Sequence, residues 1–518
     1  MSVPSRRYLS VWLPRLPTDR LARRSPAPDD APRVVVTPVK SALRLCAMNA
    51  AASALGLKPG MSLADARAMH PAIAVAQDDP PADFALLETI ADWCDRYTPL
   101  VGLDAPDGLI LDITGCAHLF GGERDMARDI VVRLARQGFE ARAGIAGTVG
   151  CAWAVARCGD RRLVAEQGTR DALLPLPLAA LRIDHGTVDA LAQAGLKRIA
   201  DVIDRPRASL AARFGQEFMR RLDQAVGAEE ESIRPRLPLP SYVAERRFPD
   251  PVALQSDVLA TIAQLAHELG VVLERHGEGA RRLLVTLFRA DGKVYRIAAG
   301  ASEPLRDAER IRRLFVERLN AVGEECDPGF GYDVIRLSAL VSERLDPAQS
   351  GFGGVDHEAE FAHLVDRLSA RFGAERLTRP VPRDTHIPEL AVAAVPALRA
   401  RNGSAAAPVL QDRLVQDSLA PVRPLRLFER PEQVDAVAEV PDGPPVRFRW
   451  RRVLHEVAAS EGPERIAMEW WHDAQGRALT RDYFRVESRD GLRVWLYREG
   501  LYDRETSRPR WFLHGLFA

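Results

Sequence analysis

Residues that could do chemistry are few in this sequence, and their spacing limits what that chemistry could be. Six cysteines (Cys46, Cys94, Cys116, Cys151, Cys158, Cys326) form no Cys-x-x-Cys pair, so neither a zinc site nor a disulfide framework is expected. His70 and His118 stand alone in apolar helical context and read as packing residues. Asp107 falls in an Asp-Ala-Pro-Asp-Gly turn at 104–108, where a carboxylate is favoured because it bonds nearby backbone N–H groups. Ile183-Asp-His-Gly186-Thr187-Val, followed by Leu191 and Ala194-Gly195-Leu196, has helix–hairpin–helix form. Backbone N–H groups at such a helix start suit a phosphate oxygen, which makes Gly186, Thr187 and Gly195 candidate DNA contacts. Charge support there is thin, with 10 basic and 9 acidic side chains over residues 176–238. Arg281, Arg282, Arg289, Lys293 and Arg296 cluster on one hairpin, though strand alternation puts Arg282 on the opposite face from Arg281. Arg447, Arg449 and Arg451 alternate with Phe448 and Trp450, as a DNA or partner surface or as the solvated face of a half-buried strand.

The elements that must position these residues belong to a long, neutral chain. At 518 residues, and about 150 per domain, three or four domains are expected. Hydrophobic content of 47% with 27% charged residues excludes wholesale disorder, and no run approaches the roughly 20 apolar residues of a spanning helix. The N-terminal residues show no signal-peptide core, so a cytoplasmic protein without membrane contact is expected. Basic and acidic residues balance at 71 each, so any DNA contact must be local or helped by a partner. All but four of the basic residues (Lys40, Lys58, Lys197, Lys293) are arginine.

Tyr8–Trp12 reads as a buried strand and residues 41–75 as Ala-rich helix broken at Gly56 and Lys58-Pro59-Gly60. Leu109–Thr114 is a second strand, followed by a helix over Met126–Gln137, a strand over Glu140–Ala146 and a helix over Thr148–Cys158. Residues 176–238 turn all-helical. Beyond them, helix Leu254–Arg275, a hairpin around Ala290-Asp291-Gly292, helix Arg306–Val322 and strand Tyr332–Val341 describe another α+β domain. Residues 346–425 read as a Pro/Ala-rich linker with one docked helix near 357–373. Five of the eight tryptophans fall in the last 69 residues, in a small α+β domain with a hairpin at Asp490-Gly491.

The run Asn49-Ala-Ala-Ala-Ser-Ala-Leu-Gly56-Leu-Lys-Pro-Gly60-Met61 resembles the fingers segment of the Y-family translesion DNA polymerases. Its neighbours fall in that family's order: the strand at 8–12, Leu109–Thr114, and Gly144-Ile-Ala-Gly147 leading into a helix with Ala152 and Ala156. The resemblance implies a multidomain α+β right hand. Palm-like residues would be 1–30 and 76–175, fingers-like 31–75, thumb-like 176–240 with its helix–hairpin–helix, and little-finger-like 241–345. A linker at 346–425 and a C-terminal partner-interaction domain at 426–518 would follow.

At the chemical positions the sequence departs from that pattern. Trp12 and Pro14 stand where the first strand's two metal carboxylates would be, and Asp107-Gly108 where the family has Asp-Glu. Ala50 and Ser53 stand at the Tyr and Arg that grip the incoming triphosphate, so no nucleotide site is expected. Catalysis by this family needs carboxylates holding two Mg²⁺ ions. The departures imply no metal, no cofactor and no catalytic residue.

The N-terminal pattern and the C-terminal runs Glu469-Trp-Trp471 and Trp511-Phe-Leu-His-Gly-Leu-Phe517 resemble the catalytically inactive branch of the family found in bacterial mutagenesis cassettes. That resemblance implies an SOS-type adaptor of translesion synthesis, with primer–template DNA, the β sliding clamp, a RecA-like accessory protein and an error-prone C-family polymerase as partners. The alternative is an active but degenerate Y-family polymerase. A clamp peptide pairs a Gln with an apolar anchor. Gln349 with Phe352 fits by position, Leu425, Leu427 and Phe428 carry the apolar part, and Gln416 with Leu419 is a further partial match.

Overall fold

The structure, a computed structural model, describes residues 6–24, 31–160, 162–345, 357–399, 423–439, 443–469, 471 and 478–517. It divides into two compact units, residues 1–354 and 355–518. The chain enters through β1 (Tyr8–Trp12), an apolar run wholly inside the first unit, and α1 (Leu16–Arg24). The β-branched run in β2 (Arg33–Val39) then pairs with β3 (Ala42–Met48). This corrects the helical reading of residues 41–48: the Val34-Val35-Val36 edge recruits the Ala-rich segment as a strand, and pairing overrides propensity. Two short helices follow, α2 (Ala50–Ala54) capped by Asn49 and α3 (Leu63–Met69) capped by Ser62. Strand β4 (Ala74–Gln77) runs parallel to β2 and completes a three-stranded sheet in the order β3-β2-β4.

Helix α4 (Pro80–Cys94) leads to β5 (Val101–Asp104) and β6 (Gly108–Asp112), then α5 (Glu123–Arg136), β7 (Arg142–Ala146) and α6 (Val149–Cys158). The central sheet is antiparallel, ordered β5-β6-β1-β7. One face (Leu9, Val11, Leu109, Leu111, Ile145) packs on Leu87 and Ile90 of α4 and Ile130 and Leu134 of α5. The other (Tyr8, Ile110, Ala146) packs on α6 and on the helical residues that follow. A Cβ at Gly144 would lie 2.6 Å from both Ala152 O and Ala156 N, so glycine lets the α6 backbone rest on β7.

Short helices α7 (Thr169–Leu173), α8 (His185–Gln193), α9 (Arg207–Phe214) and α10 (Gln216–Val226) make up the helical stretch. A distal sheet follows, built from β8 (Tyr242–Val252), α11 (Gln255–Arg275), β9 (Glu278–Arg289), β10 (Val294–Leu305), α12 (Ala308–Val322) and β11 (Tyr332–Arg344), ordered β10-β9-β11-β8. Leu287 lines a cleft with Val258 of α11 and Leu319 of α12, so both helices cover that face. Helix α11 is long and apolar enough to cross a membrane by length and composition; here Val258, Ile262, Leu265, Leu269 and Leu273 are buried in the domain.

The second unit starts with α13 (His357–Phe372), the helix expected within the linker, and a two-stranded sheet of β12 (Thr378–Pro382) and β13 (Val392–Pro396), which the linker reading lacked. Strands β14 (Arg426–Ala438), β15 (Pro445–Trp450), β16 (Val453–Ile466), β17 (Arg481–Ser488), β18 (Arg493–Glu499) and β19 (Arg510–Leu516) close into a barrel. Among the described residues of 426–518 the regular structure is all strand, so the helical share of this unit comes from α13 and a 3-10 turn over Pro388–Leu390. Phe448, Phe484, Leu496 and Trp511 fill the barrel, while Tyr483, Trp495 and Tyr497 form a second cluster with Ile466.

Candidate functional site

Where β1 ends, register sets Trp12 directly opposite Gly108 on β6 and Arg142 on β7. The backbone N–H of Leu13 then bonds to Asp107 O at 2.8 Å. The Trp12 indole Nε1 donates to Asp107 Oδ2 at 2.9 Å. From the last turn of α6, Arg157 reaches back: its Nη2 donates to Asp107 Oδ1 at 3.1 Å and to Asp104 Oδ2 at 3.0 Å. Trp153, one turn earlier on the same helix face, donates its Nε1 to Asp104 Oδ2 at 2.7 Å and lies under the guanidinium at 4.1 Å. Arg142 and Arg157 also lie over the Trp12 ring, at 5.2 and 5.6 Å. One cation thus bridges two carboxylates inside an aromatic clasp.

Gly108 is part of this arrangement. A Cβ there would fall 2.7 Å from Arg157 Nη2 and 2.8 Å from Asp104 Oδ2, so a larger residue and the guanidinium cannot share the space. Burial lowers the Arg157 pKa from its ordinary value, and the carboxylates of Asp104 and Asp107 oppose that shift. Among the described residues no group of three or more His, Cys, Asp or Glu side chains could hold a metal ion. Asp104, Trp153 and Arg157 escaped the sequence reading. The available signals were the Asp at the start of the turn and the Trp–Arg pair at i, i+4 on the helix after Gly147.

Pro14 sits half-buried beyond β1, while Ala50 and Ser53 lie exposed on α2. At the helix–hairpin–helix, the first helix is only a short 3-10 turn over Leu178–Leu181, and Gly186 lies inside the first turn of α8. The position expected for a phosphate is held by Asp184, which accepts from Thr187 N at 2.9 Å and Thr187 Oγ1 at 2.6 Å. Past Gly195, at φ +81°, the N–H groups of Lys197 and Arg198 both donate to Asp201 Oδ2 at 2.8 Å. The chain's own carboxylates therefore take these donors.

The hairpin arginines are engaged as well. Arg281 donates to Ser302 O and lies 3.5 Å from Glu343. Arg289 grips Asp291 with two bonds of 2.7 Å, and the Lys293 ammonium lies 4.8 Å over Tyr295. Arg296 pairs with Asp92 at 3.0 Å and Asp95 at 2.7 Å, on and just past α4. Gln349 and Phe352, like Gln416 and Leu419, lie outside the described residues. Leu425 is exposed, but Leu427 and Phe428 belong to β14, where Leu427 pairs with Gly515 and packs beside Trp495. In the barrel, Arg447 and Arg449 are exposed and Phe448 is fully buried, as the alternation requires.

Three comparisons bear on this arrangement. Residues 21–157 match the impB/mucB/samB family, residues 240–351 that family's C-terminal domain, and residues 412–517 a domain of unknown function, DUF6504. The DNA polymerase IV of Halorhodospira halophila is 26% identical over 273 residues, half of this chain and 71% of that one. A Y-family polymerase chimera (Dbh-Dpo4-Dbh) covers 64% of the chain with a TM-score of 0.40 and 15% identity. Sequence order, central sheet and family matches together define a Y-family polymerase-like protein. Protein ImuB of Caulobacter vibrioides is 41% identical over 474 residues, spanning 90% of this chain and all of that protein. The chain belongs to the ImuB family.

Proposed function

We propose that this chain is a non-catalytic adaptor of damage-induced, error-prone translesion synthesis: a polymerase-shaped scaffold that holds primer–template DNA beside the enzyme that extends it. The observation that carries this reading is Arg157, whose guanidinium bridges Asp104 and Asp107 at 3.0 and 3.1 Å. Two-metal nucleotidyl transfer needs a divalent ion to activate the primer hydroxyl and a second to neutralise the triphosphate. The residues present do not fit such a pair. Trp12 and Pro14 offer no oxygen ligand from their side chains, Gly108 has no side chain, and a fixed cation already lies against the two carboxylates. A dication placed there would face that cation in a partly dry site, where repulsion is strong. No chemical step is assigned to these residues.

In this reading the work left to the scaffold is binding. The sliding clamp, a RecA-like accessory protein and an error-prone C-family polymerase are the proposed partners, and the polymerase supplies synthesis. Clamp binding falls to the segment around Gln349 and Phe352. The alternative at Leu425, Leu427 and Phe428 would require β14 to give up its pairing to β19, which disfavours it. Gel filtration of the purified chain with each partner tests the reading. Co-elution with the clamp and the polymerase is expected, and Gln349→Ala with Phe352→Ala should abolish only the clamp complex. A chain that co-elutes with none of the three would overturn it.

A further inference from the structure

The open face of the distal sheet, the one without helices, is closed by the central domain. Register places Arg296, Thr286, Arg336 and Glu245 in one cross-strand row, and Val294, Phe288, Val334 and Arg247 in the next row on the same face. Three arginines thus project from one side, and each meets the end of α4. Arg296 pairs with Asp92 and Asp95, Arg336 Nη1 donates to Asp95 O at 2.8 Å, and Arg247 Nη2 donates to Arg96 O at 3.0 Å. One contact runs the other way. Register shifts on both sides of Asp333 mark a bulge in β11 that re-aims its carboxylate. Arg96 grips it bidentately at 2.9 and 3.0 Å, and Arg133 adds a bond of 2.8 Å. Phe288, fully buried, lies between the guanidinium groups of Arg96 and Arg336.

Ion pairs and arginine–carbonyl bonds surround the buried Phe288 in this seam, and their number decides what it is suited for. Interfaces between domains that must separate are small and polar, and desolvated ion pairs add little net stability over apolar packing. Arginines satisfied by carboxylates can exchange them for phosphates, whose two free oxygens also accept bidentately from a guanidinium. We propose that Asp92 and Asp95 are an internal stand-in for nucleic-acid phosphate: through Arg296 they hold the distal sheet's arginine-bearing face shut against the central domain, and a DNA backbone that takes Arg296 from them opens that face, where Arg336 and Arg247 pair with Glu245. The inference rests on the DNA-binding part of the proposed function.

The test uses the full chain and a labelled primer–template duplex. Asp92→Asn with Asp95→Asn should bind the duplex at least about ten-fold more tightly than the wild type at moderate salt. A charge-matched control, Glu217→Gln with Glu309→Gln on exposed helix surfaces, should change binding less than about two-fold. Equal gains in both variants would mean bulk charge alone is at work and would overturn the proposal. Because the double variant could fold poorly, hydrogen exchange on the wild type gives a second reading. Duplex addition should speed exchange of the amides over residues 92–98. Unchanged or slower exchange there, with duplex bound, would also overturn it. A wild type and variants that all fail to bind any duplex would instead sink the DNA-binding reading itself, and this inference with it.

Discussion

Arg157 is the residue on which the chemistry turns. Its side chain is 9% exposed, and the carboxylates it satisfies have no other cation within ion-pair distance among the described residues. Removing one partner of a buried charge pair leaves the other uncompensated, which is where the large cost arises. Arg157→Met should therefore lower stability by roughly 3 kcal/mol, read as a shift in the urea midpoint. Adding Asp104→Asn and Asp107→Asn should recover part of that loss, because no naked charge remains. A single variant as stable as the triple one would refute the charge-bridge account. Asp19 supplies a pH prediction at the same scale. Burial raises its carboxyl to about 6, while it accepts the Glu140 N–H at 2.9 Å. Between an unfolded value of about 4 and that raised value, the folded chain holds a proton that the unfolded chain has released. Stability should fall as pH rises through that window and level off above it. Asp19→Asn, whose carbonyl still accepts the N–H, should flatten this part of the profile in a thermal-melt series.

Elements show how much of the fold was readable and where reading stopped. The strand over 8–12 and the helices over 126–137, 148–158 and 254–275 emerge close to their sequence bounds, because apolar periodicity, capping residues and flanking turns agree. Thr148 illustrates this: its side chain accepts from Cys151 N and starts α6 where expected. The β2–β3 hairpin was invisible because its second strand is made of good helix formers and becomes extended only by pairing. The helix–hairpin–helix reading met a first helix that is only a 3-10 turn, and sequence spacing could not show that Asp184 and Asp201 would take the donors a phosphate would use. Likewise, Trp12 and Gly108 stand out in the sequence against the family pattern, whereas the cation beside them comes from α6, some 50 residues beyond Gly108. Packing of that helix on β7 gives a prediction of its own. Gly144→Ala would push a methyl to within 2.6 Å of two backbone atoms, which have no side-chain freedom to yield. A loss of about 1–3 kcal/mol is expected, with Arg157 drawn out of register. Gly195→Ala, where nothing lies within 4 Å, should cost only the positive-φ penalty of about 1 kcal/mol.

At the scale of the whole molecule, a Y-family polymerase-like first unit is followed in the chain by a second unit with a core of its own. The central sheet is ordered β5-β6-β1-β7, the distal sheet carries an arginine-bearing face, and a barrel with its own core follows in the second unit. Under the proposed function that combination serves a protein whose output is geometry, bringing DNA and other proteins together and leaving bond-making to one of them. Under the proposed function the site at Trp12, Asp107 and Arg157 transfers no nucleotide. Primer extension by the purified full chain, with Mg²⁺ or Mn²⁺ and all four dNTPs, tests this most directly, run beside Asp107→Ala and with duplex binding measured in the same samples. No extension above the Asp107→Ala background is expected while the primer–template remains bound. Extension that disappears in Asp107→Ala would contradict it, because Asp107 would then be serving a metal and not the guanidinium of Arg157.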